Sequence, residues 1–209
     1  MPATRKQPAT STYDVHPSLG MYQSSLTALQ QKTGLTLEEW IKLVQKSGPA
    51  TEKERRAWLK AEHGLGMNYA GWIAEHSVGK GDDGNPETYL KQAEEFVENM
   101  YAGTKEALRP VFNELLKLGR SLGKDVKVCP CKTIVPLYRN HVFAQIKPTT
   151  RTRIDLGLAL KDTKVPKRLI DTGGFAKKDR ITHRIEIASV KDIDAEVKKW
   201  LTTAYEMDR

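Results

Sequence analysis

His141-Val142-Phe143-Ala144-Gln145-Ile146-Lys147-Pro148-Thr149-Thr150-Arg151-Thr152-Arg153-Ile154-Asp155-Leu156-Gly157-Leu158 is the stretch that decides the fold class. Over 141–147, Val142, Ala144 and Ile146 alternate with Phe143 and Gln145. After a turn at Pro148-Thr149-Thr150 the alternation resumes over 151–158. There Ile154, Leu156 and Leu158 share one side, and Arg151, Arg153 and Asp155 the other. A period of two sends successive side chains to opposite faces of an extended chain. Two such runs joined by a short turn form an antiparallel pair. Working outward, 126–128 and 133–138 read as further strands, with Pro136 at an edge or bulge. Arg139-Asn140 makes a tight hairpin turn, and 181–187 supplies another strand after a Gly173-Gly174 loop.

Helical periodicity flanks this core. Upstream, Tyr89, Ala93, Phe96, Val97 and Met100 share a helix face, and Leu108, Val111, Phe112, Leu115 and Leu118 another. Pro110 makes that second helix start late or bend. Downstream, Ile193, Val197, Trp200, Leu201 and Ala204 mark a helix over 190–205. The expected C-terminal domain, 87–209, is therefore α+β: a mainly antiparallel sheet of four to five strands flanked by helices. Residues 18–78 read as a small helical bundle. Thr36-Leu37-Glu38-Glu39 and Thr51-Glu52-Lys53-Glu54 both have the spacing of a capping box. The Gly- and Asp-rich stretch 79–86 is the expected linker, and 1–17 a disordered tail.

The chain carries 34 Lys and Arg against 26 Asp and Glu, a net charge of +8. Residues 1–90 are balanced, and the excess is densest over 120–184, with 16 cations against five acids. Such a segment attracts phosphates or acidic partners. No apolar run approaches the roughly 20 residues that a membrane helix needs. The N-terminus lacks the apolar core of a secretory signal. The expected compartment is the cytoplasm, where Cys129 and Cys131 stay as thiols.

Two stretches resemble known families. Leu37-Glu38-Glu39-Trp40-Ile41, Lys53-Glu54-Arg55-Arg56-Ala57-Trp58-Leu59-Lys60 and Glu62-His63-Gly64-Leu65-Gly66 are similar to bacterial domain-of-unknown-function family 4287. Leu108-Arg109-Pro110, Phe143-Ala144-Gln145-Ile146-Lys147-Pro148, 150–158 and Thr182-His183-Arg184 resemble domain-of-unknown-function family 5655. The resemblance implies two parts in this order and brings no chemistry with it.

The residues offer two binding sites. Gly64, Leu65 and Gly66, followed by Ala70 and Ile73, have the pattern of a helix-hairpin-helix loop that presents N–H groups to a phosphate. The plainer reading is a connector with a glycine cap. The second site is a basic sheet face of Lys132, Arg139, Lys147, Arg151, Arg153 and Arg184, with Tyr138 and Phe143 for base stacking. On alternate strand positions Arg151 and Arg153 point the same way. The plainer reading is a solvated face paired to Asp155 or Glu186. Cys129-Pro130-Cys131 lacks metal-ligand partners at a usable spacing and reads as structural, and His183 falls in phase with the core face. No catalytic residue, metal or cofactor is expected.

The leading expectation is thus a non-catalytic protein that binds a polyanion such as DNA or RNA. A second reading is a small-ligand binder or enzyme with a pocket of Lys132, Tyr138, Arg153 and His183, or an anion held under Gly173-Gly174-Phe175. A third is docking of a protein partner, or of a second copy, through Trp40, Trp58 and Trp72.

Overall fold

The computed structural model describes residues 11–80, 84–164 and 167–209. The chain divides into two compact units: Pro17–Thr88, and Tyr89–Arg209 together with residues 11–16. The expected tail and linker fall partly outside the described residues, at 1–10 and 81–83.

In the first unit, α1 (Pro17–Thr33), α2 (Leu37–Ser47), α3 (Glu52–His63) and α4 (Met67–Ser77) form the expected bundle. Thr36 Oγ1 accepts from the Glu39 N–H at 3.2 Å, and the Thr36 N–H donates to Glu39 Oε2 at 2.8 Å. Thr51 and Glu54 repeat the arrangement at the start of α3. These bonds satisfy helix-end N–H groups and hold both carboxyls below their usual range. α3 stops at Gly64, whose φ of 62° is left-handed, and Gly66 opens α4 in extended backbone. Leu29, Val44, Leu59, Leu65 and Ile73 form the core with Trp40, whose indole N–H donates to Thr33 Oγ1 at 3.0 Å.

The second unit begins within α5 (Pro86–Met100), whose start is capped by the Asn85 side-chain Oδ1 accepting from the Glu87 N–H at 2.8 Å. A 3-10 turn, Gly103–Leu108, precedes α6 (Arg109–Arg120). Pro110 sits in the first turn of α6, where its missing N–H costs nothing, so the helix starts late, at Arg109. α7 (Ala195–Met207) is capped by Asp194.

The sheet has six antiparallel strands: β1 (Lys127–Val128), β2 (Val135–Tyr138), β3 (Val142–Lys147), β4 (Ile154–Leu158), β5 (Ile170–Asp171) and β6 (His183–Ile187). Their order is β1-β2-β3-β4-β6-β5. β5 is the strand beyond the four to five expected, and its two residues are too short to show a period. Val135, Leu137, Ala144, Ile146, Ile154, Leu156, Leu158, Ile185 and Ile187 face the core with Phe112, Leu115 and Leu201 of the helices. His183 lies in that core, bonded through Nδ1 to Thr182 Oγ1 at 2.9 Å. Among the described residues, no helix is long and apolar enough to cross a membrane.

Residues 11–16, within the stretch read as a tail, make contacts with the second unit. The Asp14 N–H donates to the Val128 carbonyl, and the Val128 N–H to the Asp14 carboxylate, both at 2.8 Å. This segment covers the outer edge of β1, which would otherwise present unpaired backbone groups. Arg120 reaches the Thr12 carbonyl, and the His16 ring meets Tyr89 and Tyr138 edge-on.

Candidate anion-binding cleft at one end of the sheet

β3 ends at Lys147, which is exposed, and the chain then turns at buried Pro148. Lys105, from the 3-10 turn between α5 and α6, donates to the Pro148 carbonyl at 2.6 Å. That bond brings its ammonium to the end of the sheet. Lys132 and Thr133 arrive from the β1–β2 connection. Together Lys105, Lys132 and Lys147, with Thr104, Thr133 and Thr149, line a cleft of about 480 Å3 whose walls carry no carboxylate. Lys132 and Lys147 form no ion pair among the described residues. Cations gathered without counter-charge make a local positive potential that an anion lowers.

The acid closest in register explains why Lys147 is free. Asp155 stands directly across β3–β4 from Lys147. Its carboxylate is engaged by Arg153 Nε at 3.0 Å, Arg184 Nη1 at 3.1 Å and Thr149 Oγ1 at 2.9 Å. Arg153 and Arg184 also contact Glu186, at 2.9 and 2.7 Å. The open sheet face is therefore a neutralised mosaic, and the arginines keep Asp155 off the lysine.

A family model described as Domain of unknown function (DUF5655) matches residues 97–208, more than half of the chain and nearly all of the second unit. The chain belongs to this family. A second model, Domain of unknown function (DUF4287), matches residues 21–78, within the helical unit. No curated protein and no solved structure matches the chain.

In this DUF5655 domain the expected basic face separates into different roles. Lys132 and Lys147 reach the cleft, and Arg151 is exposed in the β3–β4 turn that follows it. Arg151 and Arg153 are not strand-borne. The Thr150 N–H bonds to the Arg153 carbonyl and spends 150–153 on the turn, so β4 starts at Ile154. Arg153 and Arg184 are tied to acids, as above. Arg139 donates to Asp125 at 2.8 Å and lies 4.2 Å over the Tyr205 ring, so it braces α7.

Neither expected stacking residue presents a free ring. Phe143 is fully buried. The β2–β3 register slips by one residue there, so Phe143 is the extra residue of a bulge and turns inward beside Ala144 against Tyr205. The Tyr138 hydroxyl is bonded to His16 Nε2 at 3.0 Å, and burial pushes its pKa up to about 12. The pocket expected from Lys132, Tyr138, Arg153 and His183 does not form. Lys132 lines the lysine cleft, Arg153 a mixed-charge hollow with Arg168 and Asp194, and His183 is buried.

Burial also pushes the Cys129 thiol up to about 12, far from the lowered values of reactive thiols. In the helical unit, Gly64 and Gly66 serve as helix caps and Leu65 is core, with no cation in that loop. Trp40 is buried and Trp58 and Trp72 half-buried, so the three present no common exposed patch. Lys105 was the cleft residue that sequence reading missed. Its signal is the Gly103-Thr104-Lys105 break between two helices.

Proposed function

We propose that the DUF5655 unit is a non-catalytic polyanion-binding domain. It takes a run of phosphates of DNA or RNA into the Lys105–Lys132–Lys147 cleft, in a cytoplasmic setting where Cys129 and Cys131 remain thiols. The observation that carries this reading is the carboxylate-free wall of the cleft, next to a sheet face whose arginines are all paired. Lysine contacts to phosphate give affinity without sequence preference, and that affinity depends on salt. The Thr104 and Thr133 hydroxyls at the rim add hydrogen-bond donors that suit phosphate oxygens.

Fluorescence-anisotropy titration of a labelled single-stranded oligonucleotide across a salt series tests this. Three lysine contacts give a log–log slope of about −2, or a roughly 20-fold loss between about 50 and about 200 mM salt. No binding at the lowest salt, or binding indifferent to salt, would remove the proposal.

A further inference from the structure

At the opposite end of the sheet, where β4 finishes and β6 begins, lies a cleft of about 560 Å3, a size that suits a small molecule. Phe175, Met207 and Ala159 supply its apolar wall, and Lys161, Lys178 and Arg180 its cations.

Phe175 is 53% exposed, yet the loop beneath it is fixed. The Asp179 N–H donates to the Gly174 carbonyl at 2.8 Å and the Lys178 N–H to the Phe175 carbonyl at 3.1 Å. A Cβ on Gly174 would stand 2.4 Å from the Ile181 carbonyl oxygen, so only glycine permits this approach. This hydrogen-bonded loop leaves the Phe175 ring exposed.

Lys161 and Lys178 have φ of 54° and 60°, and they are the non-glycine residues with left-handed backbone among the described residues. They sit on separate loops and line the same cleft. A left-handed L residue is strained, and such strain gathers at ligand sites. Neither ammonium has an ion-pair partner among the described residues. Asp208 does not compete for them. Its buried carboxylate accepts from the Asn140 and His141 N–H groups, from Arg180, and meets His141 Nδ1 at 3.1 Å. That leaves Asp179 as the remaining acid of the cleft, against two lysines.

We propose that this cleft binds a small anion carrying a flat ring, with the chemistry of a nucleoside monophosphate. The ring lies on Phe175, and the phosphate sits between Lys161 and Lys178. The site stands apart from the polyanion reading and shares no residue with it.

NMR titration of the full-length labelled chain with AMP and UMP, beside adenosine and inorganic phosphate, tests the assignment. Both monophosphates should shift amides around 161 and 175–180 and bind roughly tenfold tighter than either half alone. Phe175→Ala, at an exposed position, should weaken them on the order of tenfold. Lys161→Gly with Lys178→Gly should abolish the preference for the phosphate while raising Tm, because glycine relieves the backbone. The Lys105→Gln/Lys132→Gln/Lys147→Gln variant should bind AMP as the parent does, whatever its fate with oligonucleotides. The assignment is overturned by three results: absence of shifts at millimolar AMP, shifts confined to the lysine cleft, or unchanged affinity in Phe175→Ala.

Discussion

Two groups of cations lie within one sheet. At its end, Lys105, Lys132 and Lys147 share a cleft without an acid. On its open face, Arg153 and Arg184 share Asp155 and Glu186. Each cation of either group adds one unit to the formal charge, yet only the first group leaves its charge available to a ligand. The difference comes from which acids each group reaches. Asp155 and Glu186 stand opposite each other on β4 and β6, and Arg153 and Arg184 beside them bridge the two carboxylates. Lys105 and Lys132 come from connections between elements. Lys147, at the end of β3, faces Asp155 in register but forms no ion pair with it among the described residues, because Arg153 and Arg184 hold that carboxylate. A forked guanidinium suits a shared carboxylate, whereas an exposed lysine remains a point charge in water.

The largest expected effect is on the cleft itself. Replacing Lys105, Lys132 and Lys147 together by Gln should take the oligonucleotide salt slope from about −2 to near zero. Circular dichroism should stay unchanged, since Lys132 and Lys147 are exposed, and Tm should fall only by the loss of the Lys105 bond to the Pro148 carbonyl. A slope that survives would locate the binding elsewhere.

Breaking the second group should act on the first. With Arg153→Gln and Arg184→Gln combined, Asp155 loses its guanidinium partners and faces Lys147 across the strand pair. Oligonucleotide affinity should then fall about threefold, the worth of roughly one exposed ion pair. Adding Asp155→Asn should restore it, and failure of that restoration would show that the arginines do not act through Asp155.

Stability probes sharpen the contrast further. Asp14→Ala removes the carboxylate that accepts the Val128 N–H and should cost about 1 kcal/mol in urea unfolding, without altering the salt slope. No stability change would mean that residues 11–16 do not complete the sheet edge.

The smallest effect concerns pH. Hydrogen bonds from Tyr205, then Arg139, hold the Asp125 carboxyl below the ordinary carboxylate range. A depressed carboxyl contributes stability that is fully present above its unfolded value and lost as pH falls through the folded one. Asp125→Asn should therefore flatten the acid limb of the urea midpoint plotted against pH. An unchanged limb would assign it to other carboxyls, such as Asp192 and Asp194, which are also held low.

Much of this architecture was legible in the residues. The capping boxes at Thr36 and Thr51, the alternation over 141–158 and the glycine punctuation each act locally, so sequence shows them directly. The site was legible only in part. Lys132 and Lys147 could be named, but not Lys105, which the fold brings in from a break between helices. The burial of Phe143 depends on a bulge, and a one-residue slip leaves no mark in a two-residue period. The pairing of Arg184 depends on which strand lies beside β4, which composition does not encode. Arg139 misled for the same reason: its partner Asp125 lies in the turn before β1.

The direct test of the central claim measures the oligonucleotide salt slope for two single-purpose variants side by side. Lys132→Gln/Lys147→Gln should lose more than half of the slope, while Arg184→Gln, which leaves Asp155 to Arg153, should keep it. If the arginine variant loses the slope and the lysine variant keeps it, the open face is the binding surface and the cleft is not.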